Sequence, residues 1–289
     1  MRRPLASLAR GACRAGAGLA LASALAGCAG QPDAEAYARY EAALVALGDL
    51  RTDTAPLDAP YTNEDLARNF GRVALRHEVD IERPGAEGNS AANPLQRWEG
   101  PIRYRAYGRG VTEQDRAAID AFFARLGRLT GRDVAPADGE VNMMILITEP
   151  GERPAVARAL RVVNPALARG FELWRGSGNV VCTATNLVSP EDDHAIVFGM
   201  ILIGSEVTGL LRESCLHEEI TQALGLGNDH PEVRPSIFND DEEFALLTEH
   251  DEWLLRVLYD DRLRPGMTEE EALPVVREIL ADIRPQGGA

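Results

Sequence analysis

The chain has 289 residues, of which 45% are hydrophobic and 26% charged, and its formal net charge at pH 7 is −15. This acidity argues against nucleic acid as a partner, because binding to phosphates relies on clustered basic residues. A chain of this length and composition can bury one sizeable core.

The first 27 residues have the pattern of a secretory signal. They contain four arginines and no acid, and from residue 15 onward they are mostly small and apolar. The segment is too short to span a bilayer stably. It ends in Leu-Ala-Gly-Cys28, where cleavage would leave a cysteine that carries a diacylglycerol. We therefore expect a signal peptide over 1–27 and lipidation of Cys28; the alternative is an ordinary cleaved signal followed by a chance cysteine.

Lipidation predicts where the mature protein works. Acyl chains contribute about 0.8 kcal/mol per buried methylene, so the anchor would hold a polar chain on the periplasmic face of a bacterial membrane. Removal of the signal takes away four of the 30 basic residues and none of the 45 acids, which lowers the net charge from −15 to about −19. The membrane is thus the first expected partner, and nucleic acid is not expected.

Beyond the anchor, residues 28–61 are predicted to form a tether with a short helix over about 33–47. Residues 62–284 are predicted to form one domain, and 285–289 a tail. Thr62 and Thr112 have the pattern of helix caps, and alternating or continuous apolar runs mark strands. We expect helices at 63–77, 113–130, 155–163, 208–224, around 253–258 and at 268–283, and strands at 102–106, 141–148, 179–188 and 195–204.

This order of elements predicts an α+β fold with a small mixed sheet and a helix-rich C-terminal third. The last two strands are separated by Ser-Pro-Glu-Asp-Asp, which predicts a hairpin. Arg97 and Trp98 are expected to be a structural anchor, with the indole packed and the guanidinium paired with an acid.

Two cysteines remain once Cys13 leaves with the signal and Cys28 is lipidated. Cys182 and Cys215 would then share an oxidising compartment, which favours a disulfide. Such a bridge adds on the order of 3 kcal/mol for a loop of some 30 residues. The alternative is two separate buried thiols.

Residues 217–230 read His-Glu-Glu-Ile-Thr-Gln-Ala-Leu-Gly-Leu-Gly-Asn-Asp-His, at the end of a predicted helix. In zinc peptidases two histidines at i and i+4 hold the metal, and the glutamate after the first is the general base. His217 and Glu218 match the first two roles, but Thr221 stands at the second ligand position. Gln222 is rotated by about 140° from His217 on a regular helix, so it would need a local bulge to reach the same ion.

With one extra residue in the helix, Gln222, Gly225 and Asn228 fall on the spacing of a metzincin's second ligand, glycine and third ligand. Asp229 and His230 are close enough to substitute for a ligand. The site predicted from the residues has Glu218 as the catalytic base, His217 with Asp229 or His230 as zinc ligands, and a helix-end polar cluster of Glu219, Gln222 and Asn228.

Taken together, the lipidation motif and the segments 97–101, 215–229, 236–240 and 258–267 resemble the bacterial domain-of-unknown-function family 2927. The resemblance covers roughly residues 63–267. It implies a degenerate metzincin-like helix, with Met267 in the position of a methionine turn beneath the metal.

Two functions follow as expectations. The first is a zinc peptidase in which the ion polarises a peptide carbonyl and Glu218 takes a proton from water. The alternative is a catalytically inactive envelope lipoprotein that binds or assembles other proteins, with the polar cluster holding the helix end by hydrogen bonds.

The other candidate ligands have simpler interpretations. His77 and His194 are expected at the surface, and His250 at the start of a helix with favourable N-terminal acids. The acidic run 239–243 is expected to be a solvated turn and not a calcium loop. No serine lies in a nucleophile-elbow sequence.

Overall fold

A computed structural model describes residues 32–76, 92–177, 180–189, 191, 194–239 and 241–285. The signal peptide, Cys28 and His77 lie outside these residues. The strands are β1 (Arg97–Trp98), β2 (Ile102–Tyr107), β3 (Val134–Pro136), β4 (Met143–Thr148), β5 (Cys182–Val188) and β6 (Ala195–Gly204). The helices are α1 (Ala34–Leu47), α2 (Asn63–Ala74), α3 (Glu113–Thr130), α4 (Arg153–Val163), α5 (Pro165–Ser177), α6 (Gly209–Gln222), α7 (Glu249–Leu258) and α8 (Glu269–Ile283).

The six strands form one mixed sheet, as predicted. Strands β3, β2, β4 and β6 are neighbours in that order and run parallel, and β1 also pairs with β6 in parallel. Strand β5 is antiparallel to β6, which confirms the predicted hairpin. The α+β class is therefore confirmed.

Local signals account for most of the helix starts. Thr62, Thr112 and Thr268 each form a capping box with the acid three residues later. Two helices differ from the prediction, and the short strands β1 and β3 were not predicted. Helix α2 ends at Ala74, three residues earlier than expected, and α5 was not predicted; it starts because the side chain of Asn164 accepts the N–H of Ala166 at 2.8 Å.

Helices cover both faces of the sheet. Alternate residues of its central strands are therefore buried in two different hydrophobic cores. Ile145 and Ile201 face the main core, which includes the apolar sides of α2, α3, α6, α7 and α8. Leu146 and Leu202 face a smaller core under α4 and α5. Within the described residues, no helix has both the length and the apolar composition that crossing a bilayer requires.

Helix α1, in the segment predicted as a tether, packs against α6. Tyr37 and Leu44 are buried, and Leu44 belongs to a small apolar cluster against which Leu210 lies. The carboxylate of Glu41 accepts the N–H of Leu211 at 2.8 Å. The side chain of Thr208, the N-cap residue of α6, makes no capping hydrogen bond. Glu41 instead supplies the negative charge that a helix N-terminus favours.

The chain after α1 is tied to the loop that precedes α7. Leu50 and Arg51 donate backbone hydrogen bonds to the carbonyls of Glu242 and Glu243, each at 2.8 Å. Farther on, the N–H of Glu249 bonds to the carbonyl of Thr54 at 2.7 Å. The lead-in, residues 33–54, is thus fastened to both α6 and the loop that follows it.

Candidate functional site

Helix α6 carries residues 217–222 of the motif, and strand β6 leads into this helix through a short turn. It is a regular α-helix from Gly209 to Gln222, so it does not contain the extra residue that a His217-based site would need. A disulfide between Cys182 and Cys215 joins it to β5, with an S–S distance of 1.97 Å. The predicted disulfide is therefore confirmed.

The C-terminal end of α6 is fixed by buried hydrogen bonds. The indole of Trp98 donates to the carbonyl of Ala223 at 2.8 Å, and the hydroxyl of Tyr259 donates to the carbonyl of Leu224 at 2.8 Å. Gly225 then turns the chain with φ +117°, and a Cβ there would lie 2.2 Å from the carbonyl oxygen of Gln96. A side chain at this break is excluded both by conformation and by space.

These contacts agree with the predicted role of Arg97 and Trp98. The indole is buried, and the guanidinium of Arg97 pairs with Glu99 at 2.6 Å. Arg97 also donates to the carbonyls of Leu258 and Asp260. The pair therefore connects β1 to both the end of α6 and the end of α7.

His217 is used as a structural acceptor. Its ring stacks on Phe122, with 4.1 Å between ring centroids and 11° between planes. Its Nδ1 accepts the N–H of Leu247 at 3.0 Å. Burial, assisted by the nearby charge of Arg125, lowers the pKa of His217 to about 4, so the ring is neutral at pH 7.

The residues on either side of the helix break bond to one another. Thr221 is buried and donates to the carbonyl of His217 at 2.6 Å. The amide of Gln222 donates to both carboxylate oxygens of Asp229, at 3.0 and 3.2 Å. The side chain of Asn228 donates to the carbonyl of Arg72 at 2.8 Å. Of the expected polar cluster, Gln222 and Asn228 thus take part in a hydrogen-bonded junction between α6, the following loop and α2.

The expected zinc ligands do not converge. In the part of the chain that the structure describes, the group of three or more potential ligands whose atoms lie within 4.8 Å of one another is Cys182, Glu218 and Glu219. His217, Asp229 and His230 form no such group. His230 instead accepts the N–H of Glu232 at 3.1 Å through Nδ1.

The group that does converge is a poor match to zinc. The sulfur of Cys182 is part of the disulfide, so it is not a thiolate, and zinc binds cysteine as the thiolate. Two carboxylates at adjacent positions remain, whereas a structural zinc site needs four ligands and a catalytic one three plus water. The residues present therefore do not fit a zinc ion.

The remaining candidates have local roles. His250 lies in the first turn of α7, as predicted, and is fully buried, with its Nε2 3.0 Å from the amide nitrogen of Asn69. His194 is partly buried against Gly266, so the expectation of a surface residue is only partly met. Met267 packs against the main core. Glu243, from the acidic run, pairs with Arg51 and Arg234.

Two residues that define the site were not identified from the sequence. Phe122 lies within the predicted helix 113–130, and Leu247 lies outside every predicted element. Phe122 could have been found as an aromatic on the inward face of α3, but a backbone N–H such as that of Leu247 leaves no signal in a sequence.

Comparison with known proteins places the chain in a family. Searches of the curated proteins and of the solved structures gave no match. A family model described as "Protein of unknown function (DUF2927)" matches residues 63–278, about three quarters of the chain. The match begins after α1, so it covers the domain with α6 and its disulfide but not the lead-in. The chain therefore belongs to the DUF2927 family.

Proposed function

We propose that the chain is a lipid-anchored protein of the bacterial cell envelope, and that its metzincin-like domain binds or assembles other envelope proteins without a metal. The observation that carries this proposal is the closed junction at residues 221–229. A metal ligand must direct a lone pair at the ion, whereas the polar groups here bond to one another and to the backbone.

The geometry of His217 supports the same proposal. In a zinc peptidase the imidazole of the first ligand faces an open position shared with water. Here one ring nitrogen accepts a backbone N–H, and the ring face is covered by Phe122. Burial keeps the imidazole of His217 neutral, and a neutral ring can act either as a hydrogen-bond acceptor or as a metal ligand. The lowered pKa of His217 therefore does not decide between these two roles. The contacts of the ring favour the structural role.

The anchor rests on the sequence. Cys28 lies five positions before Asp33, the N-cap of α1. An extended chain of that length spans at most about 18 Å. Because α1 is docked on the domain, a lipidated Cys28 would hold the body within this distance of the membrane surface.

The proposal is tested by the metal content and by the acid that a peptidase would need. The full-length protein, extracted in detergent without chelators, is expected to contain far less than one zinc per chain by elemental mass spectrometry. A Glu218→Gln variant, supplied to a strain that lacks the gene, is expected to restore envelope integrity as well as wild type does. One zinc per chain together with loss of function in Glu218→Gln would restore the peptidase hypothesis.

The anchor has its own test. Intact mass of the membrane-extracted protein should show a chain that begins at Cys28 and carries acyl chains. A Cys28→Ser variant should appear in the soluble fraction, with Cys182 and Cys215 still bridged. A wild-type protein that is found soluble and without lipid would contradict the anchor while leaving the function of the domain open to the first test.

A further inference from the structure

The helical hairpin of α4 and α5 carries positive charge in an acidic chain. Residues 153–177 contain five arginines and one acid, whereas the whole chain has 30 basic and 45 acidic residues. Arg153 is buried, and its charge is balanced by Glu206, since its Nη2 donates to both carboxylate oxygens at 2.6 Å. The other four arginines of the hairpin are exposed: Arg158, Arg161, Arg169 and Arg175. The outward side of the hairpin is therefore basic.

The single acid of the hairpin does not offset all of these charges. Glu172, on α5, pairs with Arg161 on α4 at 2.7 Å and also with Arg175. Arg158 and Arg169 enter no ion pair with a residue that the structure describes. Two exposed guanidinium groups are thus left for an anion from outside the chain.

An exposed aliphatic residue stands four positions after each of these two arginines. Val162 follows Arg158 and is 87% exposed, and Leu173 follows Arg169 and is 55% exposed. Residues at i and i+4 lie about 40° apart on an α-helix, so each pair shares one side of its helix. Val163, the last residue of α4, is also 74% exposed. The opposite sides of both helices are buried in the smaller core.

These five residues, 158, 162, 163, 169 and 173, are called the hairpin face. Large aliphatic side chains that are exposed together with arginines are typical of helices that lie on an anionic membrane. Such helices bind through the apolar area that they bury and through attraction to anionic lipids. Arginine suits this position because its stem can lie along the apolar layer while the guanidinium stays among the headgroups.

The start of the hairpin lies beside α1, the helix that follows the proposed anchor. Glu206, the partner of Arg153, comes two residues after the end of β6. Glu41 of α1 binds at the start of α6, a few residues farther along the chain. One turn before Glu41, burial and then the charge of Glu206 raise the pKa of Tyr37 to about 12. The first half of α1 is therefore close to the start of α4.

The reach of the anchor matches the length of the hairpin. The chain from Cys28 to Asp33 spans at most about 18 Å when extended. Helix α4 has 11 residues and is therefore about 17 Å long. The anchor and the hairpin face can thus meet the same bilayer, which favours a lipid surface over an acidic protein as the occupant of this face.

We propose that the hairpin face is a second membrane contact, in which Arg158 and Arg169 bind the phosphate groups of anionic phospholipids and the three aliphatic side chains enter the edge of the acyl layer. This inference rests on the proposed function: the anchor holds the chain on the bilayer, and the hairpin face selects the side of the domain that lies against the lipid. Helix α6 packs on the other face of the sheet. This orientation turns α6 away from the membrane.

Vesicle binding by the mature chain with Cys28→Ser tests the hairpin face without the anchor. In lipid titrations at low salt, this chain is expected to bind vesicles that contain phosphatidylglycerol, and not vesicles of phosphatidylcholine alone. Arg158→Gln with Arg169→Gln should weaken binding about 25-fold, because each arginine at an anionic surface contributes about fivefold. The matched control is Arg116→Gln with Arg128→Gln, which removes two exposed arginines of α3 on the other face of the sheet and should bind as the parent does.

A fluorescent reporter tests whether the aliphatic side chains enter the lipid. Val162→Cys in the same chain gives one reactive thiol, because Cys182 and Cys215 are bridged. An environment-sensitive dye at position 162 is expected to shift its emission to shorter wavelength when phosphatidylglycerol vesicles are added. The same dye at Ala124→Cys, an exposed position of α3, should show no shift.

Several results would overturn the inference. These are no binding to phosphatidylglycerol vesicles, equal binding to phosphatidylcholine, or an unchanged affinity in the variant of Arg158 and Arg169. A dye at position 162 that does not shift with vesicles, but crosslinks to an envelope protein in the lipidated chain, would make the hairpin face a protein-docking surface instead. Failure of the anchor is a separate result, because it is measured by the intact mass of the wild-type protein. The hairpin face alone binds weakly, so the Cys28→Ser chain still leaves the membrane during fractionation.

Discussion

The variant His217→Phe tests whether this imidazole is a structural acceptor. A phenyl ring can keep the stack on Phe122, which holds the imidazole with 4.1 Å between centroids. It cannot accept the N–H of Leu247, which lies 3.0 Å from Nδ1. A buried amide left without a partner costs about 1–3 kcal/mol, so the variant should be less stable than wild type by that amount at pH 7.

The same variant should change the response to acid. The pKa of His217 is lowered to about 4 in the folded state by burial, and it is about 6.5 in the unfolded chain. The unfolded state therefore binds more protons between these values, so wild type loses stability as the pH falls from about 6.5 to 4. The loss is at most about 3 kcal/mol. Phenylalanine does not titrate, so the stability gap between the two proteins should close as the pH falls.

Urea unfolding at pH 7, 5.5 and 4 measures this gap. Groups that titrate equally in both proteins cancel in the difference. The matched control is His230→Gln, which replaces a loop imidazole that also accepts a backbone N–H, from Glu232. A gap for His217→Phe that stays constant between pH 7 and pH 4 would refute the reasoning.

Three further substitutions test how α6 is held. Replacing Cys182 and Cys215 together by serine should lower the free energy of unfolding by about 3–4 kcal/mol, because the bridge spans 33 residues; an unchanged urea midpoint would contradict this. Gly225→Ala should cost at least about 2 kcal/mol in thermal melts, since it combines a positive φ with a backbone clash, whereas Gly227→Ala, where a Cβ meets nothing within 4 Å, should cost much less. Glu41→Gln should weaken the N-terminus of α6 by about 0.5–1 kcal/mol in urea unfolding, and equal stability would argue against its capping role.

Much of the fold could be predicted because its signals are local. The capping boxes at Thr62, Thr112 and Thr268 mark three helix starts within four residues each. Apolar runs mark β4 and β6, which are buried on both faces. The disulfide followed from simple counting, since two cysteines remain for an oxidising compartment once the signal and the anchor are set aside.

The missed elements depend on tertiary contacts or on ambiguous local signals. Pro165 follows Asn164, the C-cap residue of α4, and a proline there is typical of a helix stop. Proline is also well suited to a first helical turn, and α5 starts at this residue. Strand β1 has two residues and exists because Arg97 and Trp98 pair with the start of β6. No periodicity can be read from two residues.

The sequence-based count of the motif began at His217 for a chemical reason. Histidine is the commonest zinc ligand in such a motif, so His217 set the count, and Thr221 then appeared as a missing ligand. The environment of His217 is decided by Phe122 and Leu247, which are distant in sequence.

Helix α6 is restrained along its whole length, and this limits how the site could acquire a metal. Glu41 caps its start, the disulfide holds its middle, and Trp98 bonds to its end. A helix held at three points cannot readily rotate to bring His217 toward the loop. A metal could therefore be held only by side chains that already converge, and among the described residues His217, Asp229 and His230 form no such group.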